Sequence, residues 1–223
     1  MVSSTARPFR DRVHAGKFLA QHLQRFANRS DVLVLALPRG GVPVASEVAN
    51  ALGAPMDVFL VRKLGVPGHQ ELAMGAVASG GLRVVNDDVV RSLGIPPAAI
   101  DLVASQELAE LGRREQVYRG DRPEPEIRGR TIILVDDGLA TGSTMRAAAQ
   151  ALASRHPAKI VVAVPIAAPE TCDALAHEVD EVVCALTPEP FYAVGLWYED
   201  FDQTTDDQVR ALLADSRSRR GAQ

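Results

Sequence analysis

Cysteine, aromatic residues and long apolar runs are all scarce in this chain of 223 residues. Its two cysteines, Cys172 and Cys184, lack the spacing of a metal site, and we expect them to be free thiols in a reducing cytosol. No apolar run approaches the ~20 residues of a membrane-spanning helix, and the first residues lack the apolar core of a signal peptide. The net charge of −4 and the pI of about 5.7 argue against a basic face for nucleic acid. These absences predict a cytoplasmic protein with neither a membrane nor a nucleic acid as its partner.

The chain does contain a regular alternation of apolar, strand-like runs and segments with helical spacing of apolar residues. This alternation predicts an α/β fold with a mostly parallel sheet flanked by helices. Hydrophobic residues make up 47% of the chain and charged residues 23%, which is ordinary for a globular protein, and the length favours a single domain, 1–223. The expected strands are 31–37, 56–61, 131–135, 158–165 and 180–186; the expected helices are 10–26, 42–52, 86–93, 96–118, 145–153, 169–178 and 206–215, with loose ends at 1–6 and 216–223.

One stretch, TIILVDDGLATGSTMRAAAQALA from Thr131 to Ala153, combines a strand, a polar turn and a helix. Its apolar run suits a parallel strand covered on both faces, and Asp136 and Asp137 follow directly. Small and hydroxyl residues come next and precede a helix N-terminus, whose unpaired N–H groups and dipole favour a phosphate. The two carboxylates would repel that phosphate unless they faced ribose hydroxyls, or a magnesium ion held by those hydroxyls. We therefore predict a sugar 5-phosphate site whose phosphate lies on the turn that contains Gly138, Ala140, Thr141, Gly142, Ser143 and Thr144.

A second glycine-rich turn, PRGG, follows the apolar run DVLVLAL and precedes another helix. By the same dipole argument this turn is a second anion site, formed by Arg39, Gly40 and Gly41; the alternative is an ordinary turn between a strand and a helix. Because both turns follow strands of one parallel sheet, both sites should lie on the same edge of that sheet. One long ligand with a phosphate, a ribose and a diphosphate would need this arrangement.

The run VDDGLATGST resembles the 5-phosphoribosyl diphosphate (PRPP) signature of the type I phosphoribosyltransferases, above all that of the adenine enzymes. The run LPRGGVPVASEVANALG resembles the diphosphate loop of the xanthine and guanine enzymes, in which the residues at Arg39 and Gly40 present backbone N–H groups across a non-proline cis peptide. The resemblance implies a type I phosphoribosyltransferase fold with a Rossmann-like core at about 10–186 and PRPP as the sugar donor. It also implies Mg²⁺ as cofactor at Asp136 and Asp137, a nucleobase-like small molecule as acceptor and, as the family expectation, a homodimer.

The segment VRKLGVPG is similar to a part of the adenine enzymes in which a basic pair follows a strand. Here the pair is Arg62 and Lys63, which we place at a strand end, either facing the diphosphate or simply exposed. The resemblance implies a flexible lid at about 64–83, partly a β-ribbon, that excludes water from the reacting sugar. Within it His69 and Glu71 are candidate acids or bases, with Glu71 preferred, and a solvated side chain is the alternative for both.

The stretch TPEPFYAVGLWYEDF resembles the hood of the 6-oxopurine enzymes, in which an aromatic ring stacks on the base. The hood is expected at about 187–203, and the candidate rings are Phe191, Tyr192 and Trp197. The alternative is a small hydrophobic cluster that holds the C-terminal segment in place.

One departure from the family pattern concerns proton transfer to the base. The 6-oxopurine enzymes place an acid just before the TG pair, where this chain has Ala140. Either an acid elsewhere acts, such as Glu71, or the acceptor needs little help, or the acceptor is not a 6-oxopurine. The basic residues near the start of the chain are assigned to a solvated face rather than to a phosphate; they are Arg7, Arg10 and Arg12.

The predicted function is that of a Mg²⁺-dependent phosphoribosyltransferase, which moves the 5-phosphoribosyl group of PRPP to a purine-type nucleobase and releases diphosphate. Its predicted catalytic residues are Asp136, Asp137, Arg39 and Glu71. Two alternatives stay open. One is a regulator of the same fold that binds PRPP or a nucleotide without chemistry, and the other is an enzyme whose acceptor is an amine or a lipid phosphate.

Overall fold

The computed structural model describes residues 8–221, except for the side chains at 70, 71, 220 and 221. The predicted loose end at 1–6 lies outside the described residues. Within the described range the chain forms a five-stranded sheet and a three-stranded sheet. The strands are β1 Val32–Ala36, β2 Met56–Val58, β3 Val61–Val66, β4 His69–Ala78, β5 Leu82–Val85, β6 Thr131–Val135, β7 Lys159–Ile166 and β8 Glu181–Leu186. The helices are α1 Arg12–His22, α2 Gly41–Leu52, α3 Asp87–Ser92, α4 Pro97–Arg119, α5 Ser143–Ala153, α6 Pro169–Leu175 and α7 Asp206–Gly221, with 3₁₀ helices at Gln24–Phe26 and Val194–Trp197.

The five-stranded sheet has the order β2-β1-β6-β7-β8, and all of its neighbouring strands run parallel. Every residue of β1 and β6 is buried, because helices cover both faces of the sheet. Residues Val32 and Val34 of β1 face a core formed with α1, α2 and α7, whereas Leu33 and Leu35 face a second core formed with α5 and α6. This two-residue period is that of a strand with two buried faces. The sheet confirms the predicted α/β fold class.

The central strands β1 and β6 pair with Ala36 opposite Val135 at their carboxyl ends. From β1 the chain continues to β2 on one side of this pair, and from β6 it continues to β7 and β8 on the other side. The strand order therefore changes direction between β1 and β6. Open parallel sheets bind ligands in the crevice outside such a switch point, and both predicted anion-binding turns follow these two strands.

The predicted strand 56–61 is divided between the two sheets. Strand β2 ends at Val58, the side chains of Phe59 and Leu60 enter opposite cores, and the chain resumes as β3 in the antiparallel sheet. Arg62 and Lys63 consequently lie inside β3, so the prediction that they follow a strand of the parallel sheet is wrong. The apolar run at 58–61 is continuous in the sequence, and it gives no sign that the backbone changes sheets there.

The segment predicted as a lid forms the antiparallel sheet β3-β4-β5, which confirms the expected β-ribbon. Leu64, Met74 and Val77 of this sheet are fully buried in the core that includes residues of α4. Ala78 faces the second core, which includes residues of α5. The ribbon is thus packed between two helices, and its action as a lid stays a prediction. His69 begins β4 and is exposed, whereas the side chain of Glu71 lies outside the described part.

A disulfide bond joins Cys172 on α6 to Cys184 on β8, with their Cα atoms 6.6 Å apart. The prediction of two free thiols is therefore wrong. The two residues are separated by 12 positions in the sequence, and that spacing alone does not show that α6 folds back onto β8.

Helix α7 extends further than its sequence pattern predicts. It continues to Gly221, so the expected loose end at 216–223 is wrong for residues 216–221. Val209, Leu213 and Ser216 are buried at helical spacing, so the buried face of the helix continues past its last apolar residue. Among the helices of residues 8–221, none has the length and apolar character that a membrane crossing requires.

Candidate active site

The PRGG turn and the acid pair, Asp136 and Asp137, lie directly against each other at the carboxyl edge of the parallel sheet. The N–H of Leu37 donates to the carbonyl oxygen of Val135 at 2.9 Å, which continues the pairing of β1 and β6 beyond the strands. A Cβ atom on Gly40 would lie only 2.1 Å from Oδ2 of Asp137, so this close approach requires glycine. The structure thus brings together the two turns that the sequence predicts as one ligand site.

The PRGG turn leads directly into α2, and the Pro38–Arg39 peptide bond is cis, as the family resemblance implies. The backbone of Arg39 therefore lies in the turn, while its side chain extends to the N-terminus of α7. There its Nη1 atom is 3.7 Å from Oδ1 of Asp206, which also accepts a hydrogen bond from the hydroxyl of Tyr118 at 2.6 Å. The side chain of Arg39 is therefore engaged by α7, and its role at the diphosphate stays a prediction.

The two acids share a poorly solvated position. The Oδ1 atom of Asp136 accepts a hydrogen bond from the N–H of Asp137 at 2.8 Å. Burial raises the pKa of Asp136 well above its ordinary value, and the nearby charge of Asp137 raises it further. Burial also raises the pKa of Asp137, against the opposing effect of the Arg12 guanidinium. A ligand that offers hydrogen-bond donors or positive charge to these carboxylates would favour their ionised forms.

Arg12 belongs to this site, although the sequence analysis assigned it to a solvated face. Its Nε donates to Oδ2 of Asp137 at 2.8 Å, and only 12% of its side chain is exposed. The assignment is therefore wrong for Arg12, whereas Arg10 is 71% exposed as expected and Arg7 lies outside the described residues. Arg12 and Asp137 are 125 positions apart, and no local sequence signal connects them.

The predicted phosphate turn is anchored at the end of β7 and leads into α5. The N–H of Leu139 donates to the carbonyl oxygen of Ile166 at 3.0 Å, and its carbonyl oxygen accepts from the N–H of Ala168 at 2.9 Å. Gly142 has a φ of 69° and immediately precedes α5. The residues with exposed side chains around this helix N-terminus are Ala140, Thr141, Ser143 and Thr144. An accessible turn of this kind, with unpaired N–H groups and hydroxyls, suits a phosphate.

The hood segment, residues 187–203, lies next to both the acid pair and the phosphate turn, residues 138–144. A Cβ on Gly138 would be 2.5 Å from Cγ1 of Val194, so the hood packs onto the start of the turn. Among the predicted rings, Tyr192 is 78% exposed, whereas Phe191 and Trp197 are partly buried against a small cluster that includes Phe9. That packing agrees with the alternative of a hydrophobic cluster for these two rings.

Tyr198 is a hood residue that the sequence analysis did not select. It is fully buried in the same cluster, and its hydroxyl donates to the carbonyl oxygen of Asp137 at 2.6 Å. Its backbone forms a bridge with Phe9, which ties the hood to the segment before α1. No signal in the sequence distinguishes Tyr198 from the other aromatic residues of the hood.

Two predicted ligand residues lie beside helix α4. Arg62 forms an ion pair with Glu107 on α4, and Lys63 lines a groove between β3 and the same helix. Among the side chains that the structure describes, no group of three or more His, Cys, Asp or Glu residues is arranged to hold a metal ion. Magnesium typically takes one or two carboxylates together with substrate phosphates, and Asp136 and Asp137 match that requirement.

Known proteins resemble the chain along most of its length. A sequence model of the phosphoribosyl transferase domain matches residues 11–192. Over 205 residues the chain is 49% identical to Rv0571c of Mycobacterium tuberculosis, a protein named only provisionally as a phosphoribosyl transferase. The alignment covers 92% of this chain and 46% of the relative, so the chain spans about half the length of that curated relative.

Two further similarities agree with this match. The bifunctional protein PyrR of Chloroflexus aurantiacus is 35% identical over 132 residues, which cover 57% of this chain and 66% of that protein. The crystal structure of TT1426 from Thermus thermophilus is 43% identical and has a TM-score of 0.84 over 93% of this chain and 98% of that one. Because the family model covers both turns, the acid pair and the sheet that carries them, the chain belongs to the phosphoribosyl transferase domain family.

Proposed function

We propose that the protein transfers the 5-phosphoribosyl group of PRPP to a small-molecule acceptor and releases diphosphate. The observation that carries this proposal is the contact between Gly40 and Asp137, which joins the PRGG turn to the acid pair. Diphosphate and ribose are covalently linked in PRPP, so their binding groups must be this close. Membership of the phosphoribosyl transferase family supports the same reaction class.

Each part of PRPP is assigned to one feature of the site. The 5-phosphate lies on the turn 140–144, whose side chains are mostly exposed. The diphosphate lies on the backbone N–H groups of Arg39 and Gly40, whereas the N–H of Gly41 already donates to the carbonyl oxygen of Leu37 at 3.1 Å, so Gly41 contributes by its small size. The ribose hydroxyls donate to Asp136 and Asp137, whose partly buried carboxylates gain from hydrogen-bond donors. We assign the ribose to Oδ2 of Asp136 and Oδ1 of Asp137, because the other oxygens already accept from a backbone N–H and from Arg12.

Magnesium is the proposed cofactor, and Asp136 and Asp137 are the residues that would hold it, directly or through the ribose hydroxyls. Two carboxylates with raised pKa values suit a hard cation, because positive charge beside them favours their ionised forms. When bound, the ion would supply charge neutralisation for the diphosphate group.

The chain's own contribution to the reaction is mainly positioning and charge stabilisation. The bond between the anomeric carbon and the diphosphate oxygen breaks with cation-like character at the sugar, and the acid pair lies beside that developing charge. The N–H groups of the PRGG turn stabilise the departing diphosphate. Glu71 stays the proposed acid or base, whereas the ion pair of Arg62 with Glu107 favours a structural role for Arg62 over one at the diphosphate.

The acceptor is proposed to be nucleobase-like, and a regulator of the same fold is the second candidate. Ala140 in place of an acid favours the second candidate. A screen of PRPP with a panel of purines and pyrimidines, in which diphosphate release is measured, separates the two. Base-dependent release would support the enzyme, and PRPP binding without release for any base tested would support the regulator or an acceptor that is not a nucleobase. A cytoplasmic location and a homodimer stay predictions from the sequence.

A further inference from the structure

Arg12 connects helix α1, the acid pair and the end of the hood. Its Nε donates to Oδ2 of Asp137, and its Nη1 donates to the carbonyl oxygen of Asp202 at 2.6 Å. The guanidinium carbon also lies 4.0 Å from the centre of the Phe201 ring. The guanidinium is therefore fixed by a charge, a carbonyl and an aromatic face, from elements that are distant in the sequence.

Helix α1 has other contacts that hold it against the protein. The helix already buries Ala15, Leu19 and Ala20 against the rest of the protein. Apolar residues of similar volume often replace a buried ion pair with no loss of stability, so such a pair is weak support for a purely structural role. A role in orienting the Asp137 carboxylate therefore accounts for Arg12 better than a purely structural role does.

The carboxylate of Asp137 is held on two sides. Its Oδ2 accepts from Arg12 and packs against the backbone of Gly40, which leaves no room for a Cβ atom there. Rotation of the carboxylate would break the first contact and alter the second. Together these contacts fix the direction of Oδ1, the oxygen assigned above to the ribose.

We propose that Arg12 is a positioning residue for the sugar site, which orients the Asp137 carboxylate and is itself held by the hood residues Phe201 and Asp202. The inference rests on the proposed function, in which Asp137 binds ribose. A planar guanidinium can donate to a carboxylate and a carbonyl while it stacks on a ring, and a lysine ammonium cannot reproduce all three contacts. Arg12 acts through Asp137 and not on the substrate itself.

A double-mutant cycle on the affinity for ribose 5-phosphate tests this inference. Calorimetry with ribose 5-phosphate and magnesium chloride would compare the wild type with Arg12→Met, Asp137→Asn and the double variant. We expect Arg12→Met to weaken binding about tenfold in the wild-type background and far less in the Asp137→Asn background, since coupled neighbours are non-additive. Arg12→Lys should recover part of the affinity, and Arg10→Met, which changes an exposed arginine, should bind like the wild type.

The outcomes separate the inference from the proposed function. Full additivity in the double variant would show that Arg12 does not act through Asp137 and would overturn the inference. Unchanged binding by Arg12→Met, with a loss in Asp137→Asn, would also overturn it while leaving the sugar assignment intact. Unchanged binding by Asp137→Asn would remove the sugar assignment and the inference together. If Arg12→Met does not fold, as checked by circular dichroism, Arg12→Lys takes its place in the same cycle.

Discussion

The hydroxyl of Tyr198 donates a hydrogen bond to the backbone carbonyl oxygen of Asp137, with 2.6 Å between the two oxygens. Burial raises the pKa of that hydroxyl, which therefore stays protonated and remains a donor. The hood thus contacts the backbone of Asp137, while Arg12 contacts its side chain. The acid pair and the hood form one connected structure, and changes in either should affect the other.

Tyr198→Phe removes only the hydroxyl of this contact. We expect a loss of about 1 kcal/mol in the free energy of unfolding, the usual size for one buried hydrogen bond, and a several-fold weaker binding of ribose 5-phosphate. Thermal melting and calorimetry measure the two effects. Tyr192→Phe is the matched control, because that ring is 78% exposed and should tolerate the change. Equal effects of the two substitutions would contradict the assigned role of Tyr198.

Gly40→Ala tests the contact between the PRGG turn and the acid pair. The added Cβ would lie 2.1 Å from the Asp137 carboxylate, so either the turn or the carboxylate must move. We expect PRPP turnover to fall by about 100-fold or more, as for other small displacements of reacting groups. Gly112→Ala is the control, since a Cβ there meets nothing within 4 Å, and it should stabilise helix α4 by about 0.5 to 1 kcal/mol. Normal turnover in Gly40→Ala would show that the two turns do not act on one ligand.

Asp136→Asn should lower turnover and raise stability. The raised pKa of Asp136 means that the folded protein binds a proton more tightly than the unfolded chain, so wild-type stability declines as the pH rises through that raised value. Asparagine does not titrate and keeps an oxygen for the N–H of Asp137. The variant should therefore have a higher melting temperature than the wild type near pH 8, by about 2 to 4 °C for each kcal/mol of stability gained. At about pH 4 the two melting temperatures should be nearly equal.

The control for this pH dependence is Asp31→Asn, which should have the opposite sign. Hydrogen bonds from Arg29 and Thr131 lower the pKa of Asp31 to about 2. Its charge contributes stability above the unfolded pKa, and that contribution is lost as the pH falls through the folded value. A melting curve of Asp136→Asn that lies below the wild type near pH 8 would contradict the burial argument.

Reduction of the Cys172–Cys184 disulfide should destabilise the protein without unfolding it. A disulfide bond that closes a loop of this length contributes about 2 to 4 kcal/mol to the free energy of unfolding. The effect should reach the phosphate turn, because Thr171, next to Cys172, donates to the carbonyl oxygen of Ala140 at 2.5 Å. Melting and ribose 5-phosphate binding with and without dithiothreitol test this, and mass spectrometry under non-reducing conditions checks the bond. A Cys172→Ser/Cys184→Ser variant should be insensitive to the reductant.

The sequence was sufficient for the parts of the site that are continuous along the chain. The PRGG turn and the acid pair each combine strand, turn and helix signals within one short segment, so local chemistry predicts both their structure and their shared edge. The unbroken apolar runs of β1 and β6 also indicate the parallel sheet. Local patterns of this kind need no knowledge of what packs against them.

The sequence failed where a distant contact decides the outcome. The ion pair of Arg12 with Asp137 depends on where α1 docks, and the Cys172–Cys184 bond depends on how α6 returns to the sheet. The position of Arg62 depends on a change of sheet within an unbroken apolar run. In each case the local sequence is compatible with both the predicted and the observed arrangement, and only tertiary packing determines which one forms.

The pairing of Ala36 with Val135 links segments that are separated by nearly half of the chain. In the proposed site the two segments hold different parts of the sugar donor, so we expect a truncated or half-assembled polypeptide to have little affinity for it. Binding of the donor should consequently stabilise the whole protein against unfolding rather than one loop against opening. At a ligand concentration one hundred times the Kd, the free energy of unfolding should rise by about 2.7 kcal/mol.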